Sequence, residues 1–555
     1  ATTREALAVE GEVAWTVPPL SLVDEPEPGP RAEGAFLDAP ISEAVRLFVA
    51  RLRASRPGLI GREIDLSAIA RICRRLEGLP LAIELAATRT GSIPLAHIEA
   101  RLDDRFTLLT QGPRTTRPRQ QTLRATMDWS YGLLDESEQH MLRGLSVFSG
   151  GCTVEAAAAI AGLTAKAPVV RQTLERLVAK SLARRLAPED EPRYGLLETV
   201  RQYGALRLRE HGEYEQARRK HCQWYLEQLE VADAAWYSST QPTALAWIDR
   251  ELENLRAALT RAVEEGDSMV SARFLAALWR YWELRGSLAE GRHWQERILG
   301  QALPSGADGV WARAMAGAGR LAELAGDYPR AASWYENSLG FWRSLGDQQG
   351  IADSLLGLGV VRASEGNLDL AEQLFHESLA LNRALTYRPG IIVALNNLGG
   401  VAFYRGDSAR AVILWQESLD LSRRQGDLRS AARALNNLGE VARNLGQCQT
   451  AAARFREGLT LNWDLGDMAG IALSLEGISA TLSALGMPDR AARLRGAVDA
   501  ARESAGLFIT PRDRAIYDRD GIEMRLTLGA ARFNACLAEG RAMGLEAAID
   551  LALTE

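Results

Sequence analysis

Between about residue 250 and residue 500 the apolar, small and turn-forming positions of the chain recur every 40 residues. Gly286, Gly326, Gly366, Gly406, Gly446 and Gly486 are each 40 residues from the last. A second series, Gly266-Asp267, Gly306, Gly346-Asp347, Gly426-Asp427 and Gly466-Asp467, marks another turn in each period, with only Thr386 out of line. Two turns per period predict two helices per repeat. Five residues after turns of the first series comes a small residue, Ala331, Ala371, Ala411, Ala451 and Ala491, which lets two helices approach closely. Four residues further on stand Tyr335, Phe375, Trp415 and Phe455, and four more give Leu339, Leu379, Leu419 and Leu459. Such an i, i+4, i+8 stripe is one face of a helix turned towards a core. The pattern decays at its ends: Gly291 and Gln295 fill the small and aromatic positions of the Gly286 repeat, and Arg495 fills the aromatic position of the Gly486 repeat. Atypical end repeats are what a solenoid requires. Residues 530–539 and 544–553 read as helices that cap the last hydrophobic face.

The first helix of successive hairpins carries Leu358-Gly359, Leu398-Gly399 and Leu438-Gly439. With the alanine and the aromatic at fixed offsets, this resembles the tetratricopeptide pattern. The 40-residue period is similar to the longer subclass found in kinesin light chains and in scaffold proteins of the cell-polarity machinery. The resemblance implies a superhelix with a binding groove.

The front half has no such period. A Pro- and Glu-rich loop spans residues 18–40, followed by an amphipathic helix over 42–54 with Val45, Phe48, Val49 and Leu52 on one face and Ser42 as its cap. A second helix, 65–77, starts at Asp65, suited to its positive end, and runs into Gly78-Leu79-Pro80-Leu81-Ala82. Further on, 119–131 leads into 142–148. Helical patterns over 155–161 and 171–182, a strand-like 183–186 and the segment 194–203 then give three helices and a small hairpin, a winged-helix outline.

Gly78 to Ala82 followed by Ile83-Glu84-Leu85-Ala86-Ala87 resembles the motif of the NB-ARC class of signalling ATPases, which includes plant disease-resistance proteins, apoptosome ATPases and many bacterial transcriptional regulators. The resemblance implies that Pro80 helps to hold an adenine nucleotide. Taken alone, a proline in the first turn of a helix needs no ligand to explain it. Thr2-Thr3-Arg4-Glu5 resembles the family's sensor segment, whose arginine reaches the terminal phosphate, and a strand is expected over 13–17. The segment 119–203 is similar to the predicted-ATPase regulators of bacteria, often grouped with LuxR-type or antibiotic-pathway regulators. Where many NB-ARC proteins have Met-His-Asp, this chain has Leu196-Leu197-Glu198, so the histidine that senses a diphosphate is absent. Glu198 either keeps the acidic role or is a surface carboxylate at a helix start. The fold class is thus mainly α. Residues 1–40 are the end of an α/β nucleotide-binding core, 41–112 a helical ARC-like domain and 113–212 a winged helix. A helical linker over 213–249 leads to the tetratricopeptide-type repeats of 250–500 and the helical cap of 501–555.

Composition narrows the chemistry. The 555 residues are too many for one core and predict about three or four domains. With 47% hydrophobic and 25% charged residues the chain is an ordinary globular protein rather than a disordered one. A net charge of −6 gives no long-range attraction for nucleic acid or an anionic membrane. Five scattered cysteines without CxxC spacing argue against a disulfide framework or a zinc site, and no spanning or signal segment is visible. The expected location is the cytoplasm. The six histidines show no ligand spacing, and no G-x-S-x-G occurs. G-x-x-x-x-G-K-[ST] does not occur either, and none of Lys166, Lys180 and Lys220 lies in a glycine-rich loop, so no phosphate cradle is present. The chain is read as a piece lacking its phosphate loop and magnesium-binding strand. No cofactor is expected in this chain, and ATP or ADP with magnesium is implied for the intact protein by the resemblance.

Three functions remain. The first is the regulatory part of a signal-transducing ATPase, a transcriptional regulator, whose repeats bind a ligand or protein partner. The second is a freestanding repeat scaffold. The third is DNA binding through Arg171, Arg176 and Lys180 of the winged helix, which fall at i, i+5 and i+9 and make no single stripe. In tetratricopeptide arrays the first helices line the concave face. That places Asn396, Asn397, Tyr404, Arg433, Asn436, Asn437, Glu440 and Arg443 in a groove for a peptide, protein or small ligand. Amides and arginines suit a peptide backbone and carboxylates. Alternatively, the paired asparagines cap or bridge neighbouring hairpins. The clamp for C-terminal carboxylates known in cochaperones is only half present, since Leu356 and Val360 occupy positions where it needs polar residues.

The purified chain is expected to release no phosphate from ATP above background. A measured turnover that disappears on changing Arg4 would overturn this.

Overall fold

In the computed structural model the described residues are 20–22, 42–55, 65–90, 93–102, 123–161, 167–186, 192–300, 309–505, 507, 509 and 511–554. Arg4 and the strand expected over 13–17 lie outside them. The chain divides into two units, Ala1–Trp224 and Tyr225–Glu555.

In the first unit, α1 (Glu43–Ser55), α2 (Leu66–Arg75), α3 (Pro80–Arg89) and α4 (Leu95–Arg101) enclose the fully buried Phe48, Ile69, Ile72 and Ile83. Ser42 Oγ accepts from the Val45 amide at 3.3 Å, and Asp65 accepts from Ala68 at 2.9 Å, so both helix starts satisfy an orphan donor. Glu77 and Gly78 both take left-handed backbone (φ 55° and 68°), which ends the α2 segment sharply and sets Pro80, exposed, at the first position of α3. Next come α5 (Leu123–Gly132), α6 (Glu136–Leu145), α7 (Val154–Ala161) and α8 (Ala167–Ala179). A two-strand antiparallel hairpin follows, β1 (Arg184–Arg185) and β2 (Tyr194–Gly195), with Arg184 opposite Gly195, and then α9 (Glu198–Glu210). Asp135 and Glu138 form a reciprocal capping box at the start of α6.

The chain continues through α10 (Tyr214–Ala234), whose residues from Tyr225 on belong to the second unit, and α11 (Gln241–Glu264). Six helical hairpins follow: α12 (Ser268–Leu284) with α13 (Leu288–Leu299), α14 (Gly309–Leu324) with α15 (Tyr328–Leu345), α16 (Gln348–Ser364) with α17 (Leu368–Ala384), α18 (Arg388–Tyr404) with α19 (Ser408–Gln425), α20 (Leu428–Asn444) with α21 (Cys448–Leu465), and α22 (Met468–Ala484) with α23 (Pro488–Ala505). The described turn glycines of both series have φ between 62° and 88°, and Thr386, at the one position without glycine, takes the same left-handed backbone at φ 53°. The following Asp or Asn caps the next helix, as Asp347 does by accepting from the Gly350 amide at 2.9 Å.

The Leu-Gly pair has a steric reason. A Cβ on Gly399 would lie 2.5 Å from Trp415 Nε1, and one on Gly359 would lie 2.4 Å from Phe375. Glycine therefore opens the slot that the aromatic of the second helix fills. Ala331, Ala371, Ala411, Ala451 and Ala491 are completely buried at the helix crossings. The last repeat departs from the pattern without leaving a hole. Arg495, in the aromatic position, stacks 3.5 Å from the centroid of Tyr517 and donates to its carbonyl at 2.6 Å. Tyr517 belongs to α24 (Pro511–Leu528), which with α25 (Ala530–Arg541) and α26 (Leu545–Leu553) completes the terminal core through Met524, Phe533, Cys536 and Ile549.

Each first helix touches the first helix of the next hairpin, so the first helices line the inner side of the curve. The curve closes on itself. Arg285, just after α12, donates to the carbonyls of Leu465 (2.7 Å) and Gly466 (3.2 Å), and Gln425 donates to the Tyr237 carbonyl at 3.1 Å. These residues are 180 to 188 positions apart, and the hairpins between them form one closed turn of superhelix.

Trp415 is 2% exposed and donates from its ring nitrogen to the Asn396 carbonyl at 2.8 Å. Trp415→Ala should cost about 3–5 kcal/mol of local stability, seen as accelerated amide exchange in α18 to α20. Exchange unchanged from the parent would refute the packing role.

Candidate functional site

Where the turn closes, its inner wall carries a chain of charges. Glu283 of α12, 4% exposed on its side chain, receives Arg320 of α14 at 2.6 Å and Arg429 of α20 at 2.7 Å. Arg429 also meets Asp467 at 3.1 Å, and Arg320 also meets Glu323 at 2.6 Å. Burial by itself pushes the Glu283 carboxyl up, but the two arginines hold it well below the usual carboxylate range. Glu323 is pushed up, because burial outweighs Arg320, and its second oxygen has no hydrogen-bond partner.

Beside this chain lies Arg433. It forms no hydrogen bond or ion pair among the described residues. Burial in the wall and the repulsion of Arg429 and Arg320 lower its pKa from the usual arginine value, a shift that leaves it cationic. An unpaired guanidinium among others is a ready anion receptor.

A second group of charges lies along the wall at α10, α12 and α14. Arg273 clasps Glu230 with two bonds of 2.8 and 2.6 Å, and Arg280 meets Asp233 at 2.9 Å. These residues border a cleft of roughly 300 Å³ that Arg313 also lines, and its charge acts on Asp233 although it forms no ion pair among the described residues. Asp353 of α16 sits near Arg280. It keeps contact with water, yet the surrounding wall pushes its carboxyl up to about 6, against the attraction of Arg280 and a hydrogen bond from Gln349.

The groove residues read from the sequence divide. Asn396 and Asn436 are buried bridges: Asn396 Oδ1 accepts from Asn437 at 3.0 Å, and Asn436 Oδ1 accepts from Ser474 at 3.0 Å. For these three the bridging alternative is what the structure shows. Arg443 is held by Glu440 at 2.6 Å and stands 3.8 Å from Asp520 of α24, so the pair is internally neutral. Tyr404 is exposed at the end of α18, and the Asn397 side chain is half-buried and makes no hydrogen bond among the described residues. Arg433 is thus the one cation of the set left unpaired. Sequence reasoning missed Glu283, Arg320, Arg429, Arg313 and Asp353. The signal available was the recurrence of arginine at 273, 313 and 433, equivalent positions of the 40-residue period.

In the first unit, a cleft of roughly 310 Å³ is bordered by Glu77, Phe148, Tyr194, Glu198 and Arg201. Glu198 is clasped by Arg201 at 2.6 and 2.7 Å and by Gln202 at 2.8 Å. Arg184 lines the same cleft, so its two carboxylates face two arginines, of which Arg201 is committed to Glu198. Pro80 is exposed, and Arg4 lies outside the described residues. Of the basic residues considered for DNA, Arg176 pairs with Asp135 at 3.4 Å and Lys180 with the buried Glu138 at 2.9 Å, while Arg171 is exposed near Glu175. Among the described residues there is no metal-holding group of His, Cys, Asp and Glu, and no helix is long and apolar enough to cross a membrane.

Residues 134–209 match the winged helix-turn-helix domain family, and residues 350–424 and 390–462 match the tetratricopeptide repeat family. A Mycobacterium tuberculosis protein named "Putative HTH-type transcriptional regulator" is 36% identical over 300 residues, 54% of this chain and 32% of that protein. An uncharacterized protein of the same species is 37% identical over 215 residues, 38% of this chain and 50% of that one. The chain therefore spans between a third and a half of the length of these curated relatives. Among solved structures, a signal transduction ATPase with numerous domains (STAND) and a tetratricopeptide repeat sensor, from Pyrococcus horikoshii, is 13% identical. The likeness covers 89% of this chain and 72% of that one, with a TM-score of 0.43. The chain thus carries a winged helix-turn-helix domain and tetratricopeptide repeats, and relatives of part of it are named as putative transcriptional regulators.

Asp353 gives a pH test. The folded chain keeps its proton up to about pH 6, whereas an unfolded aspartate releases it near ~4. The group's contribution to stability is therefore complete below ~4 and is lost as pH rises through about 6. In urea melts the parent should lose stability relative to Asp353→Asn between pH 4 and 7. A difference that stays flat across that range would refute the shift.

Proposed function

We propose that this chain is the sensing part of a signal-transducing regulator of transcription, in which the closed turn of repeats holds a ligand or a protein segment against its inner wall. One observation carries the reading: the first helices of distant hairpins meet around Glu283 and leave Arg433 unpaired beside them. A scaffold that offered only its outer surface would need no such inward charge. The winged helix is the relay in this reading rather than a DNA reader, because Glu138 and Asp135 already neutralise Lys180 and Arg176. ATP or ADP with magnesium belongs to the intact protein in this proposal, with its phosphates held by residues outside this chain.

Hydrogen exchange on the full chain, with and without a partner that co-purifies with it, tests the assignment. Protection should appear in α14, α16, α18 and α20. Protection confined to the second helices, or to the winged helix in the presence of duplex DNA, would overturn it.

A further inference from the structure

The cleft between α10, α12 and α14 is built from two facing rows of charge. Glu230 and Asp233, three residues apart, share one face of α10. Opposite them stand Arg273 and Arg313, which occupy the same position of the 40-residue period on the neighbouring first helices α12 and α14. One rung of this ladder is shut, since both Glu230 oxygens accept from Arg273, at 2.8 and 2.6 Å. The other is open. Asp233 Oδ1 accepts from Arg280 at 2.9 Å, while no hydrogen bond reaches its second oxygen among the described residues. Arg313 is exposed and acts on Asp233 through its charge without pairing with it. An acid and a guanidinium thus face each other across the cleft with nothing of the protein between them to join them.

The lining narrows what the cleft can take. Its volume of roughly 300 Å³ is at the small end of ligand pockets, about 300–1,000 Å³, so the occupant is a compact molecule. No aromatic ring lines it, so neither a nucleobase nor a quaternary ammonium finds a face to stack on. Every polar side chain of the lining is charged, both signs are present, and the remainder is Ala234, Ala276 and Ala277. A simple anion meets Glu230 and Asp233 and a simple cation meets Arg313, whereas a molecule that carries both charges satisfies each side. Burial holds the Asp233 carboxyl above its ordinary value despite Arg280 and Arg313, so an added ammonium offsets a cost that the protein leaves uncompensated. We propose that this cleft binds a free α-amino acid as its zwitterion, with the ammonium on the second oxygen of Asp233, the carboxylate on Arg313 and the side chain over the alanines. The ammonium brings three donors, and the guanidinium offers its planar fork to the carboxylate. The assignment rests on the sensing role above and adds a ligand class and its place at the first two hairpins. An amino acid seated there also ties α10, which runs on from the first unit, to α14.

The proteinogenic amino acids are added to the full chain one at a time, at millimolar concentration, in thermal melts. The one that raises the melting temperature most is then titrated by calorimetry. Its N-acetyl derivative, which lacks the ammonium, and its amide, which lacks the carboxylate, should each bind at least about tenfold more weakly. Arg313→Gln, at an exposed position, and Asp233→Asn, which can still accept from Arg280, should each weaken the amino acid about tenfold. Arg433→Gln, outside the cleft, should bind it as the parent does. Helical ellipticity and the unliganded melt report whether each variant folds, and if Asp233→Asn does not, Arg313→Gln and the two derivatives decide. Binding by no amino acid would overturn the proposal and leave the cleft to solvent. Parent-like binding by either folded cleft variant, or an equal loss in Arg433→Gln, would also overturn it. So would equal binding of the N-acetyl derivative, which marks an anion site, or of the amide, which marks a cation site. If no amino acid binds while a co-purifying partner still protects α14, α16, α18 and α20, this assignment fails alone; protection confined to the second helices would sink the inner-wall reading beneath it.

Discussion

The clasp of Glu283 by Arg320 and Arg429 is the constraint around which the second unit is organised. Three helices from hairpins 37 to 146 residues apart converge on one carboxylate. Buried ion pairs of this kind contribute little net stability against an apolar replacement, but removing one partner leaves uncompensated charge, at a cost of about 3–5 kcal/mol. Their value is geometric: they permit one closure of the curve and penalise others. The local packing of alanine, aromatic and glycine fixes each hairpin, and the small rotation between hairpins accumulates. Where that accumulated curve ends is decided by a few polar contacts, Arg285 on two carbonyls and Gln425 on a third.

The repeats were legible because each depends on contacts within 40 residues. Gly399 under Trp415 and Asp347 at the start of α16 are near neighbours in sequence, so spacing alone reveals them. Winged-helix elements were legible for the same reason, with boundaries a few residues off where α8 starts at Ala167 rather than 171. The inner wall was not legible. Asn396 and Asn436 look like groove residues by their polarity, yet a rotation of about 100° per residue separates them from Asn397 and turns them into the seam between hairpins. Arg443 looks free until α24, more than 60 residues later, brings Asp520 to it. Glu283 and Arg429 are unremarkable charges in sequence, because nothing local says that their helices will face each other.

The two units also differ in how they use charge. In the winged helix, carboxylates such as Glu138 are paired with the domain's own cations, and Glu198 is clasped by Arg201 in its cleft. In the repeats, acids and arginines alternate along the wall, and Arg433 has no ion pair among the described residues. The named charges of that wall, six arginines and six carboxylates, balance, so it does not share the net −6 of the chain.

Closure of the superhelix at Arg285 and Leu465 has a kinetic corollary. A chain that curves back onto itself at this seam, with α10 and α24 paired to arginines near the two ends of the array, makes the seam a route by which an occupant of the inner wall can enter and leave. Residence time then follows the rate at which the seam opens, so a weakly held occupant could still signal for long intervals, and changes at the seam would tune the duration of the signal without touching the groups that recognise it.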